Sequence, residues 1–244
     1  MKTLLLILTI SIGILFPFTH SLSFLIKYLL MIMLFFSFLK MEVKKSDLIK
    51  NHYYLLFANL FLPTIFYFGF SFSGNLQLAQ IAFITAIAPT AIASPVIVNL
   101  LNGKIEFTVI SILLTNFAVA FLLPFLIPTI LNNSSTVSFS DVLLPVAEVF
   151  LVPFFLSLII KKYFSKLKNK LVGFNSYLFY ILVLNINLGT SKASYYIREE
   201  MSFGDLIIYQ IAIVSLILCI LSFTIGKWIA PKNLKMEGAQ SLGQ

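Results

Sequence analysis

Long apolar runs alternate with short polar or basic breaks along the whole chain, and the breaks divide it into eight segments. The runs predict helices over 3–18, 21–39, 53–70, 76–100, 105–131, 141–160, 171–188 and 203–230. Each is apolar on all sides and close to the length that crosses a hydrocarbon core of about 30 Å. The breaks are a basic loop from Lys40 to Lys50, the turn SFSGN, the uncharged stretch NNSSTVSFS, and a loop holding Lys161, Lys162, Lys166, Lys168 and Lys170. Pro63 lies inside the third run, and Pro145 and Pro153 inside the sixth. The eighth run is longer than a span needs, so it is tilted or begins later.

The fourth run differs from the others. Pro89 and Pro95 stand six residues apart past its middle, each removing a backbone donor and obstructing the preceding turn. A smooth helix is not expected there. Carbonyls freed at membrane depth are tolerated where protein, water or an ion satisfies them, so a broken span marks a cavity. Thr90 and Ser94 sit at i and i+4 inside the break and offer hydroxyl oxygens beside those carbonyls. The pattern reads either as a cradle for a cation or a polar substrate group, or as a kinked packing helix whose hydroxyls bond back to their own turn.

Composition agrees with the pattern. The chain has 244 residues, 59% hydrophobic and 11% charged, with 26 Phe. That much apolar surface belongs in a bilayer. The net charge of +8 could suggest nucleic acid, but 14 of the 17 cations fall on one side if the spans alternate from a cytoplasmic N-terminus; Lys27, Lys192 and Arg198 are the rest. The positive-inside rule accounts for this, so no nucleic-acid partner is expected. The reading is a multi-pass integral membrane protein of a bacterial inner membrane or an equivalent plasma membrane, in contact with anionic lipid. The first nineteen residues could pass for a signal peptide, but no small-x-small site follows, so they read as a first span. Cys219 is the single cysteine and gives no metal spacing.

Five spans precede the sixth, so the second block enters from the opposite face, as in an inverted repeat. The 237–244 tail is too short to span, so a second broken helix would stop near its start. The residues of the fourth run also resemble those of the bile acid:sodium symporter family, and more distantly the auxin efflux carriers. The family's Pro-Gly-Gly-Thr-Ala-Ser-Asn pattern is matched by Pro89-Thr90-Ala91-Ile92-Ala93-Ser94-Pro95, followed by Leu100-Leu101-Asn102-Gly103 and TVISILLTN. IGILFP, LKMEVKKSDL, the proline of the third run and GKW near the end extend the likeness over most of the chain.

The resemblance implies an all-α polytopic inverted-repeat transporter, with eight of ten helices present and the fourth broken. It divides the chain into panel helices over 1–40 and 141–190 and core helices over 50–131 and 203–244. It implies movement of a small organic anion, with sodium as coupling ion and no other cofactor. Of the family's sodium ligands, Ser94 and Thr108 keep their oxygens, whereas Pro95 replaces an asparagine, Ile112 replaces a hydroxyl, and the acid of the ninth helix is not placed. Two side chains with carbonyls fall short of the five or six oxygens that a hard cation takes, by analogy with calcium and magnesium. Asn59 lies near the place of a glutamine of the second sodium site, out of register with it.

Other polar residues at depth have two readings each. Glu148 and Lys27 form an ion pair, or Lys27 faces an anion, or both snorkel to the outer interface. Asn116, with Thr115 on the fifth run, and Asn185 and Asn187 on the seventh make interhelical hydrogen bonds or face a substrate path. An enzyme is not expected, because HExxH, GxSxG and paired buried aspartates are all missing from the sequence. The function expected is a secondary transporter. A non-transporting fragment or assembly partner, and a proton-coupled or uncoupled efflux carrier, are the alternatives.

Overall fold

The computed structural model describes residues 2–42, 47–87, 93–131, 139–200 and 206–243. Among these the chain is helical, without strands. Its helices are α1 (Lys2–Leu15), α2 (Leu25–Lys40), α3 (Lys50–Phe72), α4 (Leu76–Ile87), α5 (Ser94–Leu100), α6 (Ile105–Leu131), α7 (Phe139–Tyr163), α8 (Ser165–Val172), α9 (Leu178–Glu200), α10 (Leu206–Ile229) and α11 (Lys235–Leu242). Three are long and apolar enough to cross a membrane: α3, the Ile105–Leu123 part of α6, and α10. At 1.5 Å per residue, α3 and α10 are each about 35 Å long. The apolar stretches Leu4–Leu15 and Leu76–Ile87 are shorter.

The observed elements differ from the sequence reading in several places. The seventh run, expected over 171–188, is helical as α9 over Leu178–Glu200, with a 3₁₀ turn at Gly173–Tyr177 before it. The first span ends at Leu15, and Pro17–Leu22 form a 3₁₀ turn before α2. The basic loop after α7 contains a helix of its own, α8. The chain beyond α10 folds into α11, which a reading by span length alone passes over.

The chain forms two compact units, one of Met1–Lys40 and Val149–Leu206, the other of Met41–Glu148 and Ile207–Gln244. In the first unit α9 packs along α1, with Gly13 against Thr190; a Cβ at Gly13 would overlap the threonine oxygen. Hydrogen bonds tie Asn187 to the carbonyl of Thr9, Ser191 to that of Gly13 and Ser194 to that of Ile14. Numbers rise together along both helices, so α1 and α9 run in the same direction.

In the second unit α6 is the central helix, with α3, α4, α5 and α11 against it. α4 turns Phe83 and Ile87 toward Val119 and Leu123 of α6, and its small face, Ala82 and Ala86, toward Val214 and Leu218 of α10. Small side chains let helices approach closely, which suits packing without a hydrophobic driving force. At the other end of the unit Leu55, Phe107, Leu234 and Leu242 form a separate cluster that holds α11. There α11 meets α10 at Gly226 and Gly238, where a Cβ on either would overlap the other helix.

Candidate functional site

The fourth run is present as α4 and α5, and 88–92 between them, with Pro89 and Thr90, lie outside the described residues. Ser94 and Pro95 open α5. Proline at the start of a helix loses nothing, because its missing N–H is one that the first turn leaves unbonded. The first bonds of α5 run from Val96 and Ile97 back to the carbonyl of Ala93. α5 ends in a Schellman turn: Asn102 has φ 57°, its N–H bonds the carbonyl of Asn99, and Gly103 N–H reaches that of Val98. Ser94, Val96, Val98 and Asn99 are all buried, so this short helix lies within the unit, against α6 and α11.

A buried stripe on α3 consists of His52, Leu55, Asn59 and Pro63, at i, i+3, i+7 and i+11. The Asn59 side chain is 1% exposed, and neither its Oδ1 nor its Nδ2 has a hydrogen-bond partner among the described residues. Pro63 stands four residues on and has no N–H, so the Asn59 carbonyl also lacks its helical donor. Three polar atoms at one residue are therefore left without their usual bonds. Buried polar groups are almost always satisfied, so a concentration of this kind calls for a ligand or for water.

Thr108 on α6 repeats the theme. Hydroxyls within apolar helices normally bond back one turn, as Ser111 does to Phe107 and Thr115 to Ser111. Thr108 is fully buried and its Oγ1 has no partner among the described residues. Asn116, two turns further along α6, is also buried. The unit thus contains Asn59, Ser94, Thr108 and Asn116, all four of them expected from the sequence. Asn59 and Thr108 carry the free valences.

Two residues of this unit were not singled out from the sequence. Glu237 on α11 is 5% exposed, and its Oε1 accepts the N–H of Lys104 at 2.9 Å, just before α6 begins. A carboxylate there is favoured by the positive end of the α6 dipole. His52 is fully buried; its Nδ1 accepts the Ile49 N–H at 3.1 Å while Nε2 donates to the Phe107 carbonyl at 3.3 Å. The ring thereby closes the first turn of α3 and fixes α3 to the residue preceding Thr108. In the sequence Glu237 is only an acidic residue in a short segment after the eighth run; its burial beside Gly238, Ser241 and Leu242 is seen in the structure.

The remaining expected residues lie elsewhere. Lys27 is half-buried on α2, in the first unit, and Glu148 is exposed on α7, at the edge of the second. Asn185 donates to the Ile26 carbonyl at 3.2 Å and Asn187 to the Thr9 carbonyl at 3.1 Å, while Asn187 Oδ1 accepts from Thr19. Their amides hold α9 to α1 and α2. Comparison with protein-family models gives no match, and comparison with curated proteins gives none either.

Proposed function

We propose that this chain is a multi-pass membrane carrier of the bile acid:sodium symporter type, which moves a small organic anion by alternating access with sodium as the coupled ion. The observation that carries the reading is the set of unbonded polar atoms at Asn59 and Thr108, inside a unit that also buries Ser94, Asn116 and Glu237. Oxygens kept free at depth suit a hard cation, which takes carbonyl, amide and hydroxyl oxygens together. Glu237, on the helix after α10, is a further buried carboxylate of the same unit. Its negative charge would offset that of the cation. The cation distribution supports an N-terminus on the cytoplasmic side.

Proteoliposomes containing the full chain test the proposal. An inward sodium gradient is expected to drive uptake of a labelled bile acid or keto acid above the external level, and Thr108→Val and Asn59→Leu are expected to abolish it. Uptake without sodium dependence would point to the uncoupled carrier. No uptake of either class would overturn the transport reading.

A further inference from the structure

The α8 segment has features that neither transport nor insertion requires. Residue Phe164, with φ −129° and ψ 59°, ends the helical path of α7, so α8 does not continue that helix. Within α8, Leu167 and Leu171 lie at i and i+4 on one face, Lys168 and Lys170 flank that face on its two sides, and Ser165, Lys166 and Asn169 lie opposite it. The apolar face is not fully used within the unit: Phe164 is 54% exposed and Leu167 43%, with Phe174 and Tyr177 exposed just beyond.

The chemistry changes sharply at the same place. On α7, Phe155, Leu156, Leu158 and Ile159 are exposed to the surroundings, and Lys161 and Lys162 follow directly. Lys162 lies over the Tyr163 ring, 5.3 Å from its centre. No Asp or Glu occurs between Val149 and Arg198, so the stretch carries lysines without interleaved carboxylates. Insertion with the correct orientation needs positive charge in the loop. It does not need that charge on an ordered helix with unburied phenylalanine and leucine on its other side.

We propose that α8, with Phe164 and the lysines Lys166, Lys168 and Lys170, docks on the anionic headgroups of the adjoining leaflet, with Phe164 and Leu167 set among the acyl chains. Basic residues on one face and aromatic or aliphatic residues on the other are the pattern of helices that lie in the membrane interface. Each lysine near an anionic surface adds about a fivefold gain in binding. The inference rests on the membrane placement proposed above and is independent of transport.

Native mass spectrometry of the full chain, released from micelles containing equal amounts of phosphatidylglycerol and phosphatidylcholine, tests it. Wild type is expected to retain phosphatidylglycerol preferentially. The triple variant K166A/K168A/K170A is expected to lose that preference about fivefold per lysine at low salt. Phe164→Ser is expected to weaken retention of both lipids. The variant K50A/K227A/K232A removes the same charge from exposed positions elsewhere and is expected to leave the preference intact. Equal preference in wild type and the first triple variant would overturn the proposal. So would an equal loss in the second, which would reflect net charge alone. Displacement of the lipid by excess inorganic phosphate would also overturn it, by assigning the site to free phosphate. Resistance of vesicle-bound protein to carbonate extraction tests the membrane placement separately.

Discussion

His52 on α3 and Phe107 on α6 are joined by two contacts at once: the imidazole Nε2 lies 3.3 Å from the Phe107 carbonyl oxygen, and the ring centroids are 4.5 Å apart. The other nitrogen accepts the Ile49 N–H, so one side chain closes a helix terminus and joins two helices. His52→Ala removes all three contacts and leaves the Ile49 donor unbonded. A loss of about 2–3 kcal/mol is expected, read as a lower melting temperature of the purified protein in detergent. An unchanged melt would reject the role assigned to the ring.

Asn59 makes the opposite prediction. An amide buried without partners costs about 1–3 kcal/mol, so Asn59→Leu is expected to raise the melting temperature of the ion-free protein. If sodium binds there, wild type gains stability from added sodium and the variant does not. Melting curves with sodium or potassium chloride at equal ionic strength separate the two effects. A destabilised Asn59→Leu would mean that water or protein already satisfies the amide.

Thr108→Val keeps the shape and removes the hydroxyl. Because that hydroxyl has no partner among the described residues, the substitution is expected to be neutral or slightly stabilising, by up to about 1 kcal/mol. Thr115→Val, which deletes a hydroxyl bonded to Ser111 and Ile112, serves as the comparison. Loss of sodium-dependent melting in the first alone would assign the ion to Thr108.

Asn102 holds a left-handed backbone at the end of α5. Glycine there is expected to be tolerated, whereas valine is expected to cost about 1–2 kcal/mol, because a branched Cβ resists positive φ. Faster hydrogen exchange at the amides of Asn102 and Gly103 would report the opened turn.

Most helices were legible because apolar periodicity and length are strong signals in a chain with so few charges, and α3, α6 and α10 needed nothing more. The polar interior was legible in part. Asn59, Ser94, Thr108 and Asn116 stand out in apolar runs simply by being polar. Pro95 was read as a helix break, and in the structure it opens α5, a distinction that depends on where the preceding turn ends. What sequence alone could not supply is partnership. Asn185 and Asn187 look the same on paper as Asn59, yet their amides bond neighbouring helices and the amide of Asn59 bonds nothing among the described residues. Glu237 and His52 escaped notice for a related reason: one sits in a segment too short to span, the other at a helix start beside exposed polar residues.

The contact between Gly226 and Gly238 brings two main chains together with no side chain between them. Hydrogen is the largest substituent that either α-carbon can carry there, so a comprehensive substitution screen would find both positions intolerant. Neither glycine holds a reactive atom, a charge or a donor beyond its own amide. Intolerance at such a junction measures thickness, and ranking positions by mutational sensitivity would place these two beside the polar interior without their having any part in its chemistry.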